Sequence, residues 1–280
     1  MLRGLLSLLL IPMTLLIAVA SNYFLLLRFN PEASSVVAGV IATLFVGVAQ
    51  WVNPYTERWR ESWANLSLDW AFLLLSAVLL PSMQQALLWL LRRLGTLALW
   101  PHEWPLLLQI ILALLLLELL QYSTHRLMHQ SRFLWGFHAI HHSPERLQLW
   151  CSFRNHPVDT LLTVALPVAP LAWLGVSPIV VSYCVAIVAA NATLQHANTQ
   201  VHERLWSLLI ATPGIHRQHH VREARDAQCN FGGFLLVWDW LLGTRRPPPT
   251  EVPTLGIEGS ESFPKSFVGQ LWSPFSRRRG

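Results

Sequence analysis

The stretch ELLQYSTHRLMHQSRFLWGFHAIHH, from Glu118 to His142, joins two kinds of sequence. Up to Tyr122 it completes a nearly unbroken leucine run that starts at Pro105, long enough to cross a bilayer at ~1.5 Å of rise per residue. Past Tyr122 the run stops and histidines begin. His125 and His129 are an i, i+4 pair, which puts both imidazoles on one helix face. His138, His141 and His142 place three imidazoles over a single turn, and HRQHH repeats that spacing at His216, His219 and His220. Imidazole is largely uncharged at neutral pH and is the commonest nitrogen ligand for iron and zinc. Three clusters offer more nitrogens than one tetrahedral zinc can use, so two metal ions are the economical reading.

The flanking sequence decides where such a centre sits. On the N-terminal side lie three further apolar runs, about Leu5 to Leu27, Ser35 to Val52 and Leu68 to Leu91, with a kink expected at Pro81. A signal peptide is the rival reading of the first, with Arg3 ahead of it and Ala18-Val19-Ala20 as a cleavage site, but the apolar run continues past Ala20. On the C-terminal side, Val158 to Leu174 and Pro178 to Leu194 are each short for a crossing and are separated by Gly175-Val176-Ser177. They read as a helical hairpin that enters and returns on one face, bringing all three histidine clusters to one membrane boundary. From Pro247-Pro248-Pro249 the chain is rich in Pro, Gly and Ser, and partial disorder is expected.

The expectation is therefore an all-α integral membrane fold: about four transmembrane helices plus a re-entrant helical hairpin, with a cytoplasmic histidine-rich helical di-metal cap. It divides into N-terminal spans (1–104), a catalytic unit (105–246) and a tail (247–280). Composition agrees. With 53% hydrophobic and only 12% charged residues, a soluble domain could not cover its surface. The net charge of +5 is scattered, apart from Arg277-Arg278-Arg279, which suits basic flanks beside a bilayer and excludes nucleic-acid binding. Placing the N terminus inside puts most arginines on the histidine side and leaves Arg28, Arg92 and Arg93 outside. Tryptophans near the ends of the runs, among them Trp51, Trp59, Trp70, Trp100 and Trp104, read as an interfacial belt. Cys151, Cys184 and Cys229 have no CxxC spacing, which argues against a zinc ribbon or a disulfide framework.

From Glu118 to Thr244 the sequence resembles the fatty acid hydroxylase and sterol desaturase superfamily of membrane di-iron enzymes. HRLMH and FHAIHHSPE match its first two boxes, Arg154-Asn155-His156-Pro157 its R-x-H-P element, Gln195-His196-Ala197-Asn198 its QHxN, and Thr212-Pro213 leads into HRQHH as the third box. Asn230-Phe231-Gly232, Trp238-Asp239 and Gly243-Thr244 match the closing elements. Two positions depart from the pattern: Gln228 stands where an acidic residue is frequent, with Asp226 nearby, and Asp159 is shorter than usual.

The resemblance implies metal ligation by His125, His129, His138, His141, His142, His196, His216, His219 and His220. His156 is a tenth candidate, either as a ligand or as a residue supporting one. Glu118 shares a helical stripe with Tyr122, His125 and His129 and is a candidate acceptor for a ligand N–H. His102 reads as interfacial and His202 as a solvated loop residue. The implied chemistry is O₂ activation at two iron ions, replaceable by zinc on overexpression, and oxidation of a lipid C–H bond to an alcohol or an alkene. No heme-attachment motif, dinucleotide fingerprint or Cys₄ cluster is present, so electrons must come from a separate ferredoxin-type or cytochrome-type donor. A metal transporter would hold its ligands near mid-membrane, and a silent homologue would be expected to have lost box histidines; none is missing.

Overall fold

The computed structural model describes residues 2–60 and 63–276; the basic tract Arg277-Arg278-Arg279 lies outside them, as does the side chain of Arg92. Four long helices come first: α1 (Leu2–Leu26), α2 (Pro31–Val52), α3 (Trp63–Leu94) and α4 (Leu106–Gln130). α5 (Arg132–His142) follows directly. α6 (Pro157–Thr160), a π-helical turn (Leu161–Ala165) and α7 (Leu166–Trp173) form one rod, and α8 (Pro178–His196) follows it, packed mainly against α1, α2 and α4. The shorter α9 (Glu203–Trp206), α10 (Pro213–His219), α11 (Val237–Leu241) and α12 (Phe267–Ser276) complete the chain. Among the described residues there is no strand, and only isolated bridges such as Ile210 to Leu235 and Val221 to Leu255 occur.

Cap chemistry sets the helix starts. Asn30, Ser177 and Thr212 each accept a first-turn backbone N–H and are each followed by proline, which the first helical position tolerates. Ser131 caps α5 in the same way, so a single residue separates it from α4. α3 continues as a helix through Pro81.

Helices α1, α2, α3, α4 and α8 are each long and apolar enough to cross a bilayer. α8 is the innermost, packing Val180, Cys184, Ile187 and Leu194 with Leu10, Ile11, Val46, Leu114 and Leu117. Ala18, Ala42 and Ala190 meet where α1, α2 and α8 come together, and small residues there let the backbones approach. The other half of the expected hairpin, Pro157–Trp173, is shorter. Its far end meets the α3–α4 connection, where the Leu97 N–H donates to the Trp173 carbonyl at 2.9 Å and the Leu99 N–H to that of Leu174 at 3.2 Å. α4 and α8 both start at that end of the bundle and finish at the other, in His125 and His129 and in His196.

Two expectations fail on packing. From Pro247 to Ser276 the tail is not disordered but wrapped over the histidine-bearing end: Leu255, Ile257 and Phe263 are buried, Phe267 meets Phe72 at 4.9 Å, and Phe275 meets Phe137 at 5.7 Å. Its few apolar residues find partners on α3 and α5, far away in sequence, which composition does not register. The tryptophan belt is also incomplete. Trp51, Trp70 and Trp104 are exposed, whereas Trp59 packs on Leu147, Cys151 and Leu255, and the buried Trp100 donates its Nε1–H to Gln109 Oε1 at 2.8 Å. An indole with a satisfied N–H is as suited to a core as to an interface.

Candidate metal centre

The helical spacing of the boxes divides their imidazoles between two adjoining groups. Ligand atoms of His125, His129, His138, His142 and His219 all lie within 4.8 Å of one another, and so do those of His141, His196, His216 and His220. In α5 the i, i+4 pair His138 and His142 faces the first group, while His141, one residue round the helix, faces the second. In the third box the arrangement is reversed: His216 and His220 face the second group and His219 the first. α4 adds two rings to the first group and α8 adds one to the second. The groups touch where His142 stacks on His220, with ring centroids 4.1 Å apart.

Hydrogen bonds fix which nitrogen points inward. His125 Nδ1–H donates to the Phe231 carbonyl at 2.8 Å, His219 Nδ1–H to that of Cys229 at 2.7 Å, and His196 Nδ1–H to that of Ala192 at 2.7 Å. His138 Nδ1–H donates to Asp159 Oδ2 at 2.8 Å. In each ring the proton is thereby assigned to Nδ1, and Nε2 carries a bare lone pair. Those lone pairs converge: His125 Nε2 is 3.0 Å from Nε2 of both His138 and His219, and His196 Nε2 is 2.9 Å from that of His216. Both nitrogens of His129 are buried without a partner, as are His142 Nε2, His141 Nδ1 and His220 Nδ1. Burial, with neighbouring imidazoles adding to it, pulls His141, His142, His216 and His220 well below the usual imidazole value; burial pulls His219 down to about 3. The rings are therefore neutral, the form in which imidazole binds a metal ion.

His156 stands outside both groups. Its Nδ1 accepts the Val158 N–H at 3.0 Å, capping α6, and its ring packs on Phe137 at 4.8 Å. Glu118 corrects the expectation made for it: no imidazole donates to it. Its Oε2 accepts the backbone N–H groups of Gly233, Phe234 and Leu235 at 2.9–3.2 Å, so it reaches the histidines through the loop whose Phe231 carbonyl orients His125. Asp159, noted as a departure in length, is the carboxylate that holds His138. Gln228 donates its amide to the His129 carbonyl at 3.4 Å, a role open to an amide and closed to a carboxylate, while Asp226 pairs with Arg246 at 3.0 Å. His102 is exposed, as is His202, which precedes α9.

The roles of four supporting residues were not assigned from sequence, although Asp239 stood within the Trp238-Asp239 motif. Asp239 accepts the N–H groups of Phe231 and Gly232 at 2.8 Å and the Thr244 hydroxyl at 2.7 Å, tying the last three motifs into one loop. A Cβ on Gly232 would lie 2.6 Å from the Leu235 carbonyl oxygen, so that loop has room only for glycine there. Glu203 accepts the Thr212 hydroxyl and the Gly214 N–H at the start of α10. Arg217, between the third-box histidines, donates to the Ala197 and Thr199 carbonyls and lies over the Tyr55 ring at 3.7 Å; burial pulls its guanidinium down to about 10. Asp69 on α3 forms a buried ion pair with Arg154 of the R-x-H-P element. None of these four partnerships has a spacing signature, because each joins segments distant in sequence or uses backbone N–H or carbonyl groups.

These features define a multi-pass helical membrane protein with buried, all-imidazole donor clusters. The chain belongs to the fatty acid hydroxylase family, whose model matches residues 110–244. It is similar to the ornithine lipid hydroxylase OlsE of Rhizobium tropici, 39% identical over 64% of this chain and 54% of that one. Sphinganine C4-monooxygenase 1 of Arabidopsis thaliana is 29% identical over 50% of this chain and 54% of its own length. The alkylglycerol monooxygenase of Homo sapiens is 26% identical over 44% of this chain and 27% of its own length. The chain thus spans about half or less of the length of these relatives. No solved structure matches it.

Proposed function

We propose that this chain is a membrane-bound lipid hydroxylase that holds two iron ions, one in each imidazole group. The observation that carries the reading is the set of facing lone pairs. His125, His138 and His219 each commit Nδ1–H elsewhere and turn a bare Nε2 to the same place, within 3.0 Å of His125 Nε2. Bare lone pairs at that range repel in a dry interior, and a shared cation relieves the repulsion. Nine imidazole nitrogens and no carboxylate suit iron or zinc and do not suit magnesium or calcium. His156 is left out of the proposed ligand set.

Iron held there would supply activation of O₂ and insertion of one oxygen atom into an unactivated C–H bond, the other atom leaving as water with two electrons from a separate donor protein and two protons from solvent. The chain's own residues supply orientation and dryness. Asp159 and the Phe231 and Cys229 carbonyls fix ring tautomers. Trp135 and Phe231 wall the first group, 5.1 and 5.3 Å from the His129 ring. The substrate class is lipid, in keeping with the names of the relatives, and those names favour hydroxylation over desaturation. The arginine distribution supports a cytoplasmic position for the cluster. Labelling of Phe133→Cys from the outer side would reverse that orientation.

Lipid mass spectrometry of cells expressing the chain, with a competent electron donor and ¹⁸O₂, tests the reaction. We expect a hydroxylated lipid carrying label, absent with His141→Ala. An unlabelled alkene would make the reaction a desaturation. Identical lipids in the two strains across several donors would sink the oxygenase reading.

A further inference from the structure

A surface helix of a soluble protein turns its apolar stripe inward and its polar face outward. α12 departs from this. Gln270 and Ser273 are buried against the protein, while Val268, Trp272 and Phe275, at i, i+4 and i+7, point outward, Val268 and Trp272 being 73% and 67% exposed. The inward polar groups are only partly satisfied within the tail: Gln270 Nε2 donates to the Pro264 carbonyl at 3.0 Å and the Ser273 hydroxyl to that of Gln270 at 2.8 Å, while Gln270 Oε1 is buried without a hydrogen-bond partner. Phe267 and Leu271 pack with Phe72, Ala139 and Ile140, so the helix carries apolar side chains on both its inner and its outer side. A helix of that kind fits an apolar surrounding medium.

Its position says which medium. Phe267 meets Phe72, which lies seven residues into the Asn65–Leu91 span, ~10 Å along the helix axis. At its other end Phe275 packs on Phe137, beside the exposed Phe133 and Leu127 where α4 passes into α5. The outward stripe thus lies on a helix packed against the span α3 and against α5, whose exposed Phe133 adjoins Phe137. Lys265 precedes the helix, and in the sequence Arg277-Arg278-Arg279 follow it, a charge pattern suited to anionic headgroups.

We propose that α12 is an interfacial helix whose partner is the phospholipid bilayer itself, with Val268, Trp272 and Phe275 inserted among the acyl chains at the end of the bundle that carries the histidines. The segment lies outside residues 110–244, and the inference does not depend on which metal or substrate the cluster takes.

The test uses the full chain in vesicles of phosphatidylcholine and phosphatidylglycerol, with single cysteines labelled by an environment-insensitive fluorophore. Labels at Val268→Cys and Trp272→Cys should lose most of their emission to lipids carrying a nitroxide on the acyl chain and little to aqueous iodide, matching Leu74→Cys on the exposed face of α3. Glu261→Cys, in the connection before α12, should show the opposite. Ser276→Cys repeats the lipid measurement without removing an apolar residue, should the first two variants fail to fold. Iodide quenching at 268 and 272 equal to that at 261 would place the stripe in water and overturn the proposal. If neither quencher reached them, protein would cover the stripe, and the proposal would fall equally.

Discussion

The two imidazole groups share the second and third boxes but are held differently. In the five-membered group, His125, His138 and His219 are braced through Nδ1 by the Phe231 carbonyl, the Asp159 carboxylate and the Cys229 carbonyl. In the four-membered group, His196 alone has such a brace in the hydrogen bonds of the described residues, to Ala192 on its own helix, while Nδ1 of His141 and of His220 is buried without a partner. A braced ring has its tautomer and direction set when the chain folds; an unbraced ring must adopt them when a metal arrives. The first group should therefore be the tighter site, and each expectation below either breaks that contrast or sharpens it.

The largest effect belongs to the braced rings themselves. Removing two of the three, His138→Ala with His219→Ala, should abolish product and lower bound iron from close to two per chain by at least one, read by metal analysis of the purified protein. Unchanged metal content would show that the five-membered group is not a metal site.

A smaller loss should follow from the ion pair that pins the brace in place. Arg154 precedes the segment carrying Asp159, and its guanidinium donates to Asp69 Oδ1 at 2.6 Å, with both side chains about 5% exposed. Asp69→Asn leaves a buried guanidinium without its charge partner and should cost about 3–5 kcal/mol in denaturant unfolding, whereas the double change Asp69→Leu with Arg154→Met should cost less than the single one. By contrast, Glu145→Ala, which breaks the exposed pair with Arg222, should cost under about 1 kcal/mol. Equal effects for the two pairs would mean that the cap is not pinned to α3 in this way.

The brace itself ranks next. Asp159→Asn keeps the shape but removes the charge that holds His138 Nδ1–H, and should weaken metal affinity by roughly 10–100-fold, as is usual for groups that orient a ligand. Titration of the metal-free protein with Fe(II) measures it. The loss should fall on the tighter of the two binding phases; a loss confined to the weaker phase would reverse the contrast.

What could be read in advance follows the range of the signal. Box spacing is local, so HRLMH, HAIHH and HRQHH already specify which rings share a helix face, and the structure brings those rings together. The long apolar runs are equally local and correspond to helices α1 to α4. Braces are not local. Glu118 sits on the stripe of His125 and His129 and looked like their acceptor, yet its carboxylate binds backbone N–H groups more than a hundred residues away, which no side-chain pattern announces. Asp159 stood out only as an odd length in a motif, because its partner His138 lies on a different helix. The tail was misread for a related reason: a Pro- and Ser-rich composition predicts weak self-association, but Phe263, Phe267 and Phe275 pack on elements folded earlier in the chain.

The smallest effect concerns His156, three residues before Asp159, and it separates a histidine that holds metal from one that shapes the backbone. His156 Nδ1 accepts the Val158 N–H as the cap of α6, with Pro157 in the first helical position. If capping is its role, His156→Ala should lower stability by about 1 kcal/mol, and His156→Asn, whose carboxamide oxygen can take the same N–H, should restore most of it. Metal content should stay close to two irons per chain in both variants, since neither change reaches His138 or Asp159 directly. The discriminating outcome is the asparagine variant: a histidine needed as a ligand would leave His156→Asn as iron-deficient as His156→Ala, whereas a cap is satisfied by either side chain. An iron loss shared by both variants would enlarge the five-membered group by one and put a helix-capping ring among rings braced by carboxylate and carbonyl.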